Sequence, residues 1–177
     1  MHTLIVGPRH VGKTTLISRV LEEVGLPVFG FETKKEDALA QEPHGSPIYI
    51  YDAKQERFQT PENLVGYCKD NHASTIKDAF DRYAVKLSGP VPGGHLILLD
   101  ELGFMESASP DFCQAVLNLL DGDIPVIAAV KDKTTPFLEA VRSHKNAKCF
   151  YIDLNNRDEL FPEVLSFVKA QLADKEL

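Results

Sequence analysis

The eight residues from Gly7 to Thr14, GPRHVGKT, match the pattern GxxxxGK[ST] at every fixed position and follow directly on the apolar run Leu4-Ile5-Val6. A chain that places this pattern between a strand and a helix has few folds open to it. The glycines let the backbone wrap until its N–H groups face an oxyanion, and the helix that follows aims its positive end at the same place. Lys13 adds a point charge suited to β- and γ-phosphates. Thr14 offers a hydroxyl to Mg²⁺, and Thr15 a second hydroxyl near an α-phosphate. The candidate phosphate-binding set is Gly7, Pro8, Arg9, His10, Val11, Gly12, Lys13, Thr14 and Thr15. His10 has two readings, a ring on a phosphate or a ring in solvent.

Behind the loop, Leu16, Ile17, Val20, Leu21 and Val24 recur at helical spacing until Gly25 stops the helix. Residues 27–31 read as a second strand ending near Thr33, residues 48–51 as a hairpin strand, and residues 74–87 as a helix. From Gly94 the order is regular. The strand at residues 95–99 precedes a helix with Ser109 as N-cap and Pro110 at its first position. A strand at residues 125–130, a helix opened by Thr135-Pro136, a strand at residues 148–153 and a helix from Asn156 to Ala173 follow. Asn156 and Glu159 have capping-box spacing, and residues 173–177 read as a fraying helix end. Strands alternating with helices predict a three-layer α/β fold, a mostly parallel sheet with helices on both faces. Residues 1–177 are expected to form one domain with a variable hairpin or lid-like insertion around residues 32–92.

A chain of 177 residues can bury a sizeable core without disulfides or a structural metal. Its formal charge of −7 and pI near 5.3 argue against a general nucleic-acid binder. Cys68, Cys113 and Cys149 are odd in number and lack CxxC spacing, so they read as reduced, mostly buried thiols of a cytoplasmic protein. The first residues lead straight into a strand without a charged-then-apolar leader. The apolar run at residues 124–130 is too short to span a bilayer, so no membrane association is expected. The six histidines show no metal-ligand spacing.

The run His95-Leu-Ile-Leu-Leu-Asp100-Glu101 is an apolar strand ending in acids. In a parallel sheet its carboxyl edge is also the edge of the phosphate loop, so Asp100 can join Thr14 in a Mg²⁺ shell. Read alone, Asp100 would equally serve as a helix cap. Glu101 is placed to orient or deprotonate an attacking water, its other reading being a surface glutamate at a strand end.

Together these residues resemble the small nucleoside-triphosphatases first described from thermophiles and represented in human by the cancer-related nucleoside-triphosphatase. The resemblance covers most of the chain. It rests on GPRHVGKTTL, on Gly30-Phe31-Glu32-Thr33 (family GFxT), on LLDELGFMES (family hhDEIGKMEL) and on Asn156-Arg157 (family NR), in the family's order and spacing. It implies a phosphate-loop fold and slow, Mg²⁺-dependent hydrolysis of ATP, GTP and other triphosphates to diphosphates. It further implies phosphate contacts from Gly12, Lys13, Thr14 and Thr15, metal binding by Asp100, water positioning by Glu101, and Arg157 beside the nucleotide base. A guanidinium there can stack, although a solvent-facing Arg157 is the other reading. The chain departs from the family at Phe104, usually lysine, at Ser107, usually leucine, and after Thr33, where Lys34 stands and no arginine occurs between Arg19 and Arg57. Phe104 and Met105 either cap an acceptor side or simply pack. Arg57 and Arg82 are candidates for an arginine finger or are solvated. Two rivals to hydrolysis stay open: a kinase with a small acceptor bound over residues 34–90, and a nucleotide-gated switch.

Overall fold

The computed structural model describes residues 1–173, so the last four residues of the expected fraying end lie outside it. Strand β1 (His2–Gly7) runs through the phosphate loop into α1 (Lys13–Val24), which ends at Gly25 in the left-handed conformation. Strand β2 (Val28–Lys35) extends beyond the expected end at Thr33. It pairs with a parallel strand over Val28–Glu32 and with antiparallel β3 (Ser46–Asp52) over Phe31–Lys35. The two pairings overlap at Phe31 and Glu32, and together they continue the strand past the polar residues.

Within the region where a hairpin or lid-like insertion was expected, a hairpin appears whose two strands had not been placed. Strands β4 (Leu64–Lys69) and β5 (His72–Thr75) are joined by Asp70-Asn71, with φ of 48° and 64°. Both central residues are left-handed, as a tight hairpin turn requires, and Asn and Asp accept that conformation most readily among residues with a side chain. The expected helix at residues 74–87 is therefore corrected to α2 (Lys77–Leu87). Ser74 and Thr75 pair with Tyr67 and Gly66 across the hairpin. Then come β6 (Leu96–Leu102), α3 (Pro110–Asp121), β7 (Val126–Lys131), α4 (Pro136–Arg142), β8 (Ala147–Tyr151) and α5 (Arg157–Ala173). Ser109 and Thr135 cap α3 and α4, their hydroxyls accepting from Phe112 N at 3.2 Å and Leu138 N at 3.1 Å. The capping box at Asn156 does not form. Its amide instead ties the turn together, donating to Tyr151 O at 2.9 Å and accepting from Asp153 N at 2.9 Å.

All eight strands make one sheet in the order β5-β4-β3-β2-β6-β7-β1-β8. From β2 to β8 the neighbours are parallel, and from β2 to β5 they are antiparallel. Alternation along each parallel strand sends Leu4, Val6, Ile97 and Leu99 to one face and Ile5, Leu96 and Leu98 to the other. The first face is covered by α2, α3 and α4 and the second by α1 and α5, so the central strands are apolar on both sides. Gly30 shows how closely β2 and β6 approach. Its φ is 124°, and a Cβ there would lie 2.0 Å from Leu98 O.

Candidate active site

The parallel strands β1, β7, β6 and β2 end at one edge of the sheet, and the first polar residues past those ends meet there. Gly12 takes φ 101° at the turn into α1, a conformation that favours glycine. His10 adopts φ 64° and is exposed. Lys13 is 4% exposed, and its Nζ donates to Gly7 O at 2.9 Å and Pro8 O at 2.7 Å and pairs with Glu101 Oε2 at 3.0 Å. Those contacts use the three protons of an ammonium and hold it beneath the loop.

Asp100 is 3% exposed and accepts from Thr14 Oγ1 at 3.1 Å. Burial pushes its pKa up against the opposing pull of Lys34 and the Thr14 hydroxyl, and the Glu101 and Glu32 carboxylates add to the rise. A carboxylate and a hydroxyl so placed are hard oxygen donors, and one or two such groups from protein suit Mg²⁺, which takes its other ligands from phosphate and water. No group of three or more His, Cys, Asp or Glu able to hold a metal occurs among the described residues, so the donor set does not fit a closed all-protein site. Thr33 Oγ1, in β2 just past its parallel pairing with β6, is buried without a hydrogen-bond partner among the described residues.

A shift in the β6–β7 register sets Asp100 opposite Ala129 and Leu102 opposite Val130, leaving Glu101 as the extra residue of a bulge. Such a bulge re-aims a side chain at a strand end. Glu101, 24% exposed, bridges two lysines, Lys13 at 3.0 Å and Lys131 at 3.2 Å. Arg9, His10, Gly12, Lys13, Thr14, Thr15, Thr33, Lys34, Asp100 and Glu101 line one cavity of about 350 Å³. Beside it, Gly12, Thr15, Leu16, Arg19, Arg157 and Asp158 line a groove of about 130 Å³, with Arg157 Cδ 3.9 Å from where a Cβ on Gly12 would stand. The structure thus gathers the predicted loop residues Arg9, His10 and Gly12 to Thr15 with Asp100 and Glu101, and sets Arg157 against the loop. Gly7 and Val11 shape the loop from beneath, Val11 being buried, while Pro8 gives its carbonyl to Lys13.

Two open readings and one expectation are affected by the surroundings of these side chains. Arg57 lies 3.6 Å from Glu32 and over the Tyr51 ring, and Arg82 donates to Glu62 O, so neither reaches the cavity. The three thiols are free but only half buried. Sequence reasoning missed Thr33, Lys131 and Glu106 as site residues. A polar residue just past a buried parallel strand was the available signal for the first two, the one that exposed Asp100. Glu106 is 3% exposed, its Oε2 accepts from Gly103 N at 2.9 Å, and burial pushes its pKa up to about 7. No described helix is long and apolar enough to cross a membrane.

Comparison with known proteins agrees with this geometry. A family model described as NTPase matches residues 2–165. The nucleoside-triphosphatase THEP1 of Thermotoga maritima is 30% identical over 99% of this chain and 100% of its own length. The human cancer-related nucleoside-triphosphatase is 30% identical over 96% of this chain and 97% of its own. The crystal structure of THEP1 from Aquifex aeolicus superposes with a TM-score of 0.67 over 94% of this chain and 98% of that one, at 20% identity, which speaks for the fold. With phosphate loop, acidic strand end and both lengths in agreement, the chain belongs to the NTPase family.

Proposed function

We propose that the chain hydrolyses nucleoside 5′-triphosphates, ATP and GTP among them, to diphosphate and phosphate with Mg²⁺ as cofactor. The observation that carries this reading is Glu101, clamped between Lys13 and Lys131 in the wall of the cavity that the phosphate loop also lines. Two cations on one carboxylate hold it pointed, which is what orienting a water toward a phosphoryl group demands. Lys131 in this reading positions Glu101. Lys13 and Arg9 offset charge on the phosphates. Thr14 and Asp100 would hold Mg²⁺, which when bound neutralises charge shared between the β- and γ-phosphates. The groove under Arg157 takes the base, which stacks on the guanidinium plane. The free thiols suit a reducing cytoplasm.

The test is phosphate release from the purified protein with ATP, GTP and CTP in the presence and absence of Mg²⁺, beside a Lys13→Ala control. Steady, Mg²⁺-dependent release that the control abolishes supports hydrolysis; triphosphate binding without release counts against it.

A further inference from the structure

Beyond Glu101 lies a second cavity that hydrolysis does not need. It holds about 190 Å³ and shares Arg9, Thr33 and Glu101 with the triphosphate cavity, so the two adjoin through the water-orienting carboxylate. A water requires only ~10–15 Å³ on this measure, so the space exceeds a hydrolytic water many times over. Its far walls come from the antiparallel half of the sheet, through Ile48, Cys68, Asn71 and Ala73, and from Phe104 and Met105 after β6. The β4–β5 hairpin therefore builds a chamber beside the triphosphate cavity.

The chemistry of the lining selects an occupant. Three cationic side chains, Arg9, Lys35 and Lys131, face two carboxyls, Glu101 and Glu106. Lys131 is already committed to Glu101, and Lys35 pairs at 2.8 Å with Asp37, itself mostly exposed. Arg9 is exposed on the loop. With Lys131 and Lys35 each paired to a carboxylate, Arg9 is the lining cation that makes no ion pair among the described residues, and it favours an anionic group at the Arg9 and Lys35 end. The shared wall also carries the partnerless Thr33 hydroxyl, ready to bond a polar group. Phe104, 43% exposed and with Lys131 Nζ 5.8 Å from its ring centroid, gives the mouth an apolar side where the resembled family has a lysine.

We propose that this cavity is a second substrate site for a small molecule bearing both a hydroxyl and a carboxylate or phosphate, and that the hydroxyl accepts the γ-phosphoryl group in place of water. The inference rests on the triphosphate reading above. The acceptor oxygen forms a bond to the γ-phosphorus while the bond from that phosphorus to the β,γ-bridging oxygen breaks. The electron pair stays on the diphosphate, and the hydroxyl proton passes to the Glu101 carboxylate. The products are a phosphate ester and a nucleoside diphosphate, with no oxidant or further reactant required.

The experiment incubates the full chain with γ-³²P-labelled ATP and Mg²⁺, alone and with D-glycerate, glycerol 3-phosphate or glycerol, and separates labelled ester from labelled inorganic phosphate. Carboxylate and phosphate probes distinguish the two anionic classes, and glycerol supplies the hydroxyl without a charge. The expected result is ester formation at least tenfold faster with one anionic probe than with glycerol. That transfer should fall at least tenfold in Ala73→Trp, which fills the cavity, and in Lys35→Glu, which reverses a lining charge, with probe-free phosphate release within twofold of wild type in both. Label recovered only as inorganic phosphate with every probe, at rates no probe changes, overturns the second site. Probe-free release that Lys13→Ala abolishes would still uphold hydrolysis, so the two readings fail separately.

Discussion

Replacing Glu106 by glutamine removes a carboxyl that the fold buries to 3% exposure while keeping an oxygen for the Gly103 N–H that it accepts at 2.9 Å. Burial is the main cause of its raised pKa, opposed by the nearby Lys131 and reinforced by Glu101. A rise from 4.5 to about 7 corresponds to about 3 kcal/mol, at about 1.4 kcal/mol per pH unit. In that window the native chain holds a proton that the unfolded chain has released. The contribution to stability is therefore full below pH 4.5 and is lost as pH rises through about 7. Glutamine does not titrate, so the stability of Glu106→Gln minus that of wild type should climb by about 3 kcal/mol across that window, roughly 6–12 °C in Tm for a chain of this size. Asp100 titrates in both proteins and drops out of the difference. The assay is urea unfolding without nucleotide at a series of pH values, followed by far-UV circular dichroism because the chain contains no tryptophan. A second variant fixes the cause. Lys131→Met removes the cation that lowers the pKa, so its window should extend to higher pH. A difference that stays flat with pH would refute the reasoning and mean that Glu106 is ionised in the fold at acid pH.

Glu101→Gln should lower kcat for triphosphate hydrolysis by ~10²–10⁴, the worth of a positioned general base. Its nucleotide affinity should change by less than ~5-fold, because a partly exposed ion pair contributes only ~0–1 kcal/mol; unchanged turnover removes Glu101 from the mechanism. Asp100→Asn should raise the Tm of nucleotide-free protein, since a neutral amide replaces a buried carboxylate yet still accepts from Thr14. The same variant should lose the added stabilisation from Mg²⁺ with ATP, and a lower nucleotide-free Tm would contradict the burial argument. Arg157→Ala should raise KM for ATP and GTP alike by ~2- to 30-fold, the worth of a ~0.5–2 kcal/mol cation–π contact, at constant kcat. A selective loss for one base would show that Arg157 reads an edge.

The sequence by itself determined the phosphate loop, the acidic end of β6, and the apolar helices and strands around them. Each of these depends on neighbours a few residues away: a glycine that allows a turn, a 3.6-residue stripe, an apolar run closed by a carboxylate. From them the three-layer fold and the pairing of Thr14 with Asp100 were within reach. The tertiary structure alone decided which strand ends lie side by side. Strand β7 intervenes between β1 and β6, and that order brings Lys131 to Glu101 across 30 residues of sequence. It also turned Asp70-Asn71 into a hairpin, set the antiparallel strands along a second cavity beside Glu101, and enclosed Glu106 and Thr33 there. The physical reason is range. Hydrogen-bonded turns and amphipathic stripes are local properties, whereas the burial of a carboxyl and the shape of a cavity depend on surfaces contributed by segments far apart in the chain.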